Sequence, residues 1–112
     1  MTATRELVLS IIKRDFPTED TEAVIARLDA YGKEPHERER ERVHLAVLRL
    51  SEGDSAKLLY WIDIAKQDYR DALAWAEYPS QMRAPVNADP DQVKRISQED
   101  RKQYLAWLSR TQ

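Results

Sequence analysis

The sequence contains one pair of residues with the spacing of a metal site in a helical bundle. Glu41 and His44 stand three positions apart, so one helix could direct a carboxylate and an imidazole at the same ion. Bundles that bind metals in this way need a second such pair and two further glutamates. The other histidine, His36, cannot form that pair because the residue three positions before it is Lys33. We therefore predict no metal site and expect His44 to be hydrogen-bonded within the protein.

Two further pairs imitate catalytic arrangements. Ser10 and Lys13 have the spacing of a serine acyl-enzyme, but the Ser-Asp-Asn and Lys-Thr-Gly elements that accompany it are absent. Asp68 and Asp71 could act as general acid and base only in a cleft, which the sequence does not indicate. The chain has no cysteine, and its 2 glycines cannot form a phosphate-binding loop. We predict no catalytic residues and no cofactor, which favours a protein that is not an enzyme.

Composition indicates a single small domain, residues 1–112, with 42% hydrophobic and 34% charged residues. The formal net charge of −2 lacks the positive excess of a general nucleic-acid binder, so we expect no nucleic-acid partner. No apolar run approaches the length of a membrane span, and Ser10 and Lys13 interrupt the N-terminal apolar segment, unlike in a signal peptide. We therefore expect a cytoplasmic protein that does not contact membranes.

Glycines and prolines separate the apolar, helically periodic segments, and no segment alternates as a strand would. The pattern predicts an all-α, single-domain bundle of about five helices, with helix content of about 70% or more. Residues 79–89 are expected to form an ordered loop. Within 90–110, both Asp89-Pro90 and Ser97 resemble helix starts, which leaves one helix or two open. The predicted helices span about 4–16, 18–31, 35–51, 55–78 and 90–110.

The fourth predicted helix, about 55–78, is the longest, and we expect the fold to be organised around it. Its core-facing stripe runs from Leu58 to Ala76. Beside that stripe lies an aromatic-acidic strip that mixes large apolar side chains with two carboxylates on one side of the helix. The strip consists of Tyr60, Ile64, Asp68, Asp71, Trp75 and Tyr78.

Two interpretations of the aromatic-acidic strip stay open at this point. A second neighbouring helix could cover it, in which case Asp68 and Asp71 would pair with arginines such as Arg83 or Arg95. Alternatively, the strip is exposed and binds a protein partner or a second copy of the chain, with Trp75 as an anchor. The second interpretation predicts a protein-interaction module.

A different class of function is also compatible with the sequence. A pocket between the 55–78 helix and the 79–90 loop could bind a small molecule or support a minor enzymatic activity. The side chains expected to line this pocket are Asp71, Trp75, Tyr78 and Arg83.

Overall fold

The computed structural model describes residues 3–84 and 87–110, of which 73% are helical and none is in a strand. The predicted all-α class is therefore confirmed, with seven helices in the described residues where about five were expected. No helix in these two ranges is long and apolar enough to cross a membrane. The helices are α1 (Arg5–Asp15), α2 (Thr21–Leu28), α3 (Arg40–Ser51), α4 (Ser55–Gln67), α5 (Tyr69–Glu77), α6 (Pro79–Met82) and α7 (Pro90–Ser109).

Short polar side chains begin four of the helices, as their positions in the sequence predict. The Thr4 hydroxyl accepts a hydrogen bond from the backbone N–H of the first turn of α1, and Asp20 does the same for α2. Asp54 caps α4, and Asp89 caps α7 with Pro90 at the first helical position. Each cap satisfies an N–H group that has no partner within the helix, which stabilises the helix by about 1 kcal/mol.

The single long helix predicted over 55–78 is wrong, because the chain leaves helical geometry at Asp68. This residue has φ −156° and ψ 105°, and its side chain accepts a hydrogen bond from the backbone N–H of Arg70 at 3.1 Å. An aspartate offers the backbone an alternative to the continuing helical ladder. Asp68 therefore ends α4 and caps α5, so the two segments form separate helices.

The central helix of the fold is α3, which packs against α1, α4 and α5. The six consecutive residues from Val43 to Leu48 are all buried, so this helix is covered on every side along its middle. Side chains from α1 to α5 and from α7 join it in one contiguous core. The role of organising element, which the sequence suggested for 55–78, belongs to α3.

The predicted start of the third helix at Pro35 is also wrong, since α3 begins at Arg40. The preceding segment is held as a loop by Glu37, whose carboxylate is almost fully buried. One of its oxygens accepts backbone N–H groups from Gly32, Lys33 and Glu34 at 2.9, 3.1 and 3.3 Å. Glu37, which the sequence places in the first turn of the predicted third helix, therefore anchors a loop instead.

The C-terminal segment forms one continuous helix of 20 residues, α7, which answers the question left open by the sequence. Its buried Asp100 accepts backbone N–H groups from Ser80 and Gln81 at 3.3 and 3.0 Å. These are the first residues of α6, so a side chain of α7 caps the short helix. The segment expected to be an irregular loop from 79 to 89 thus starts with one helical turn.

Candidate functional site

A cleft of about 980 Å³ lies where the C-terminal ends of α1, α3 and α7 meet α4, α5 and α6. Its volume is at the upper end of the range usual for small-molecule sites. All 3 tryptophans of the chain line it. Among the described residues, the cleft is lined by Arg14, Asp15, Pro17, Arg49, Leu50, Glu52, Gly53, Lys57, Tyr60, Trp61, Trp75, Pro79, Arg83, Trp107 and Arg110.

The three tryptophans come from three different helices and are each half-buried. Trp61 of α4 and Trp107 of α7 pack against the core, and Trp75 belongs to α5. Tyr60 extends the aromatic wall, with its ring centroid 5.3 Å from that of Trp61 in an edge-to-face arrangement. Rings that are anchored in this way present fixed flat or edge surfaces to a cleft.

The floor of the cleft depends on a glycine between α3 and α4. Gly53 has φ +75°, and a Cβ atom at this position would lie 2.9 Å from the carbonyl oxygen of Asp15. The turn can therefore pack directly against the end of α1 only because this residue lacks a side chain.

Cationic side chains outnumber carboxylates around the cleft, although the chain as a whole has a net charge of −2. A concave surface with an excess of one sign of charge concentrates ligands of the opposite sign. The lining cations are Arg14, Arg49, Lys57, Arg83 and Arg110, and the lining carboxylates are Asp15 and Glu52.

Arg14 is fully used in holding the fold together. Its guanidinium donates to both carboxylate oxygens of Asp15, at 2.8 and 3.1 Å. The remaining nitrogen donates to the carbonyl oxygens of Trp107 and Arg110, at 2.7 and 2.9 Å. These carbonyls lie at the end of α7, where the last C=O groups of a helix have no N–H donors within the helix. Arg14 therefore joins the ends of α1 and α7 below the cleft.

The two most solvent-exposed ion pairs of the cleft are loose. Arg110 lies 3.9 Å from Asp15, and Lys57 lies 3.9 Å from Glu52. Contacts of this length between exposed side chains contribute little stability. They nevertheless give each of these cations a carboxylate neighbour.

Arg49 and Arg83 are different, because within residues 3–84 and 87–110 neither has a hydrogen-bond or ion-pair partner for its guanidinium. Arg83 lies over the Trp75 ring at 5.7 Å, and Arg49 lies over the Tyr104 ring at 5.3 Å. Burial lowers the pKa of Arg49 below its usual value. Among the side chains that the structure describes, Arg49 Nη1 is the one buried nitrogen or oxygen that lacks a hydrogen-bond partner.

No family model, curated protein or solved structure matches this chain. The cleft and its unpartnered cations are therefore the basis for assigning a function.

The aromatic-acidic strip predicted from the sequence is not one continuous face, because the break at Asp68 divides it between α4 and α5. The structure brings Tyr60 and Trp75 together at the cleft. Asp68 instead pairs with Arg70 at 3.0 Å, and this hydrogen bond lowers the pKa of its carboxyl group. The members of the strip that do not line the cleft are Ile64, Asp68, Asp71 and Tyr78. Its role in binding a partner stays a prediction.

The pocket expected beside the 79–90 loop agrees with the cleft in part. Trp75 and Arg83 line the cleft, as expected, whereas Asp71 and Tyr78 do not. Sequence reasoning missed Trp61, Trp107 and Arg49. Trp61 falls on the core stripe of a helical wheel, and Arg49 is an ordinary basic residue in the last turn of a helix, so neither position carries a signal of its own.

The remaining candidate residues have structural positions. His44 is buried, and its Nε2 lies 3.2 Å from the carbonyl oxygen of Tyr31, which confirms the expected hydrogen bond. Burial lowers the pKa of His44, so the ring is neutral in the folded protein at neutral pH. Across the described ranges, no three His, Asp or Glu side chains are placed to hold a metal ion. Ser10 and Lys13 are both exposed on α1.

Proposed function

We propose that the protein binds a small, negatively charged molecule that carries a planar ring, and that the three-tryptophan cleft is the binding site. The observation that carries this proposal is the meeting of all 3 tryptophans with two unpartnered arginines on one concave surface. This is the second of the two functions expected from the sequence, and its lining keeps Trp75 and Arg83 of the four residues predicted for the pocket.

The aromatic walls support a ring in the ligand. Trp61 and Trp107 pack against the core, so little side-chain entropy is lost when a flat molecule stacks against them. Their half-burial also leaves apolar surface facing the cleft, and covering this surface would contribute about 25 cal/mol per Å².

The charge distribution supports an anion. Arg14 is occupied by its bonds to α7, and Lys57 and Arg110 have carboxylate neighbours. Arg49 and Arg83 keep their full hydrogen-bonding capacity, and a guanidinium in a partly dehydrated cleft binds carboxylates and phosphates more strongly than it would in water. The sign of the expected ligand is therefore opposite to that of the chain's own net charge.

The experiment is a titration of the ¹⁵N-labelled protein, followed through the indole N–H signals of its 3 tryptophans. The probes are adenosine monophosphate and indole-3-acetate, each of which combines a ring with an anion. We expect at least one probe to shift all three indole signals together and saturably. The absence of any shift up to millimolar concentrations of both probes would contradict the proposal.

Two matched variants locate the binding. Trp75 and Tyr78 are half-buried aromatic residues at the end of α5, but only Trp75 lines the cleft. Trp75→Ala should weaken binding of the probe, whereas Tyr78→Ala should leave its affinity unchanged. Equal weakening by both would point to a general loss of structure instead of a specific site.

A protein-interaction module stays the second candidate, and exposed apolar side chains on α4 favour it. Leu59 and Tyr60 are 50% and 59% exposed on adjacent positions. We suggest that a second copy of the chain would cover them, which light scattering can test. A mass of twice 13.1 kDa that falls to one chain in Leu59→Asp would favour this function. The cytoplasmic location expected from the sequence likewise stays a prediction.

A further inference from the structure

We infer that Arg49 receives the anionic group of the cleft's ligand, and that this group is an oxyanion, either a carboxylate or a phosphate. The inference rests on the proposed function and names the residue and the chemistry by which the ligand would be recognised.

A second arginine on the same helix shows what kind of acceptor is missing. Arg42 and Arg49 lie about two turns apart on α3, so they project from the same side of the helix. Arg42 donates to both oxygens of Glu77, at 2.9 and 2.7 Å, in a two-pronged ion pair. Arg49 presents an identical fork of donors near the same ring, Tyr104, without a carboxylate. A carboxylate or phosphate has the geometry that fits such a fork.

Within residues 3–84 and 87–110, the carboxylates nearest to Arg49 already have partners. Asp15 is occupied by Arg14, and Glu52 has Lys57 as its neighbour. Asp100 interacts electrostatically with Arg49, but its oxygens accept the backbone N–H groups that begin α6. An acceptor for Arg49 must therefore come from outside the described part of the chain.

The burial of Arg49 makes this absence informative. Buried polar groups in folded proteins are almost always hydrogen-bonded, and an arginine is costly to bury without an acceptor. Contact with the Tyr104 ring offsets part of this cost, since a cation is attracted to an aromatic face. It leaves every N–H of the guanidinium without an oxygen acceptor from the described residues. A buried donor without an acceptor calls for an explanation, and a bound ligand is the one that we infer.

The test compares ligands that differ in one feature. Adenosine monophosphate and indole-3-acetate supply a phosphate and a carboxylate, so together they identify the oxyanion. Adenosine keeps the ring without the anion, and inorganic phosphate keeps the anion without the ring. Affinities are measured by the indole N–H titration in the full chain.

The variants are Arg49→Met and Arg49→Lys, with Arg95→Met as a matched control. Arg95 is exposed on α7 and does not line the cleft. We expect Arg49→Met to weaken binding of the anionic probe by about 10- to 100-fold, because hydrogen bonds to a charged group are lost. Binding of adenosine should not change. Arg49→Lys should restore part of the affinity, since an ammonium keeps the charge without the fork.

Unchanged affinity of Arg49→Met for the anionic probe, while Trp75→Ala still weakens it, would overturn the inference and leave the proposed function standing. Equal weakening of the anionic probe and of adenosine by Arg49→Met would overturn it as well, because it would indicate a purely steric role. If neither anionic probe shifts the indole signals of the unaltered protein, both the proposed function and the inference fail. Circular dichroism of each variant confirms that it is folded.

Discussion

Two sets of buried charged groups in this molecule differ in how they are satisfied. The buried carboxylates of Glu37 and Glu77 have complete sets of partners, namely Lys66 with three backbone N–H groups for Glu37 and Arg42 for Glu77. At the cleft, Arg49 is partly buried with no acceptor among the described residues. The complete partner sets of these carboxylates indicate a well-packed interior. The unpartnered arginine is therefore better explained by function than by poor packing.

The largest effect is expected where a buried carboxylate loses its partner. Arg42→Met leaves the nearly inaccessible Glu77 unpaired, which should lower the free energy of unfolding by about 3 kcal/mol. Urea denaturation followed by circular dichroism measures this change. A loss smaller than about 1 kcal/mol would contradict the expected difference between the paired Glu77 and the unpartnered Arg49.

The double variant Arg42→Met, Glu77→Leu is the control for this measurement. It removes both charges of the pair, and replacing a buried ion pair by apolar residues is often neutral. We therefore expect it to recover most of the lost stability. Failure to recover would mean that Arg42 contributes mainly through the packing of its aliphatic stem.

A somewhat smaller and pH-dependent effect is expected at Glu37. Burial disfavours its carboxylate, but the backbone N–H groups and Lys66 outweigh burial and lower the pKa from 4.5 to about 2. The folded state therefore favours the ionised form of Glu37 more than the unfolded state does. Its contribution is complete above pH 4.5 and is lost as the pH falls towards 2.

Glu37→Gln should lower the free energy of unfolding by about 2 kcal/mol at pH 6 and by less at pH 3. Measuring the difference between the two proteins at each pH cancels the contribution of His44, whose lowered pKa also makes the folded state less stable in acid. A difference that is the same at both pH values would show that the charge of Glu37 is unimportant.

In the protein without ligand, we expect the loss of Arg49 to affect stability far less than the loss of Arg42. Arg49→Met should change the free energy of unfolding by less than about 1 kcal/mol, or increase it, because it removes a buried donor for which the described part of the chain supplies no acceptor. Arg42→Met on the same helix is the reference for this measurement. A loss as large as that of Arg42→Met would indicate that Arg49 is a structural residue.

The smallest effect is expected at Arg83, which is exposed and lies over the face of Trp75. Arg83→Ala should alter the free energy of unfolding by less than about 0.5 kcal/mol. Thermal unfolding of Arg83→Ala and of Arg49→Met compares the stability effect of the exposed arginine with that of the partly buried one. A marked decrease in thermal stability would assign the Arg83–Trp75 contact to the fold.

Local sequence signals predicted the starts of α1, α2, α4 and α7 well, but not the start of α3 or the break at Asp68. Thr4, Asp54 and Asp89 cap helices that begin near the predicted positions, because capping involves only neighbouring residues. The same signal was present at Asp68, which has the acidic residue Asp71 in the following turn, but the strong apolar periodicity on both sides concealed it. The break is thus readable from local chemistry once the acidic pair is treated as a cap.

The site was harder to predict than the fold, for a physical reason that Glu37 and Trp107 illustrate. Glu37 lies in a run of alternating charges that suggests a solvated helix end, yet Lys66 of α4 holds it in the interior. Trp107 lies on an amphipathic C-terminal helix, and its position at the cleft depends on Arg14 joining the ends of α1 and α7. In both cases the partner is distant along the chain.

The sequence by itself determined the all-α class, most helix starts and the apolar faces, since these follow from hydrogen bonds and side-chain periodicity within a few residues of each position. Only the tertiary structure decided that α3 is central, that Trp61, Trp75 and Trp107 meet at one cleft, and that Arg49 has no acceptor among the described residues. These properties depend on which distant surfaces pack together. Packing is decided by the shape and charge of the whole set of helices, so no single segment contains the information.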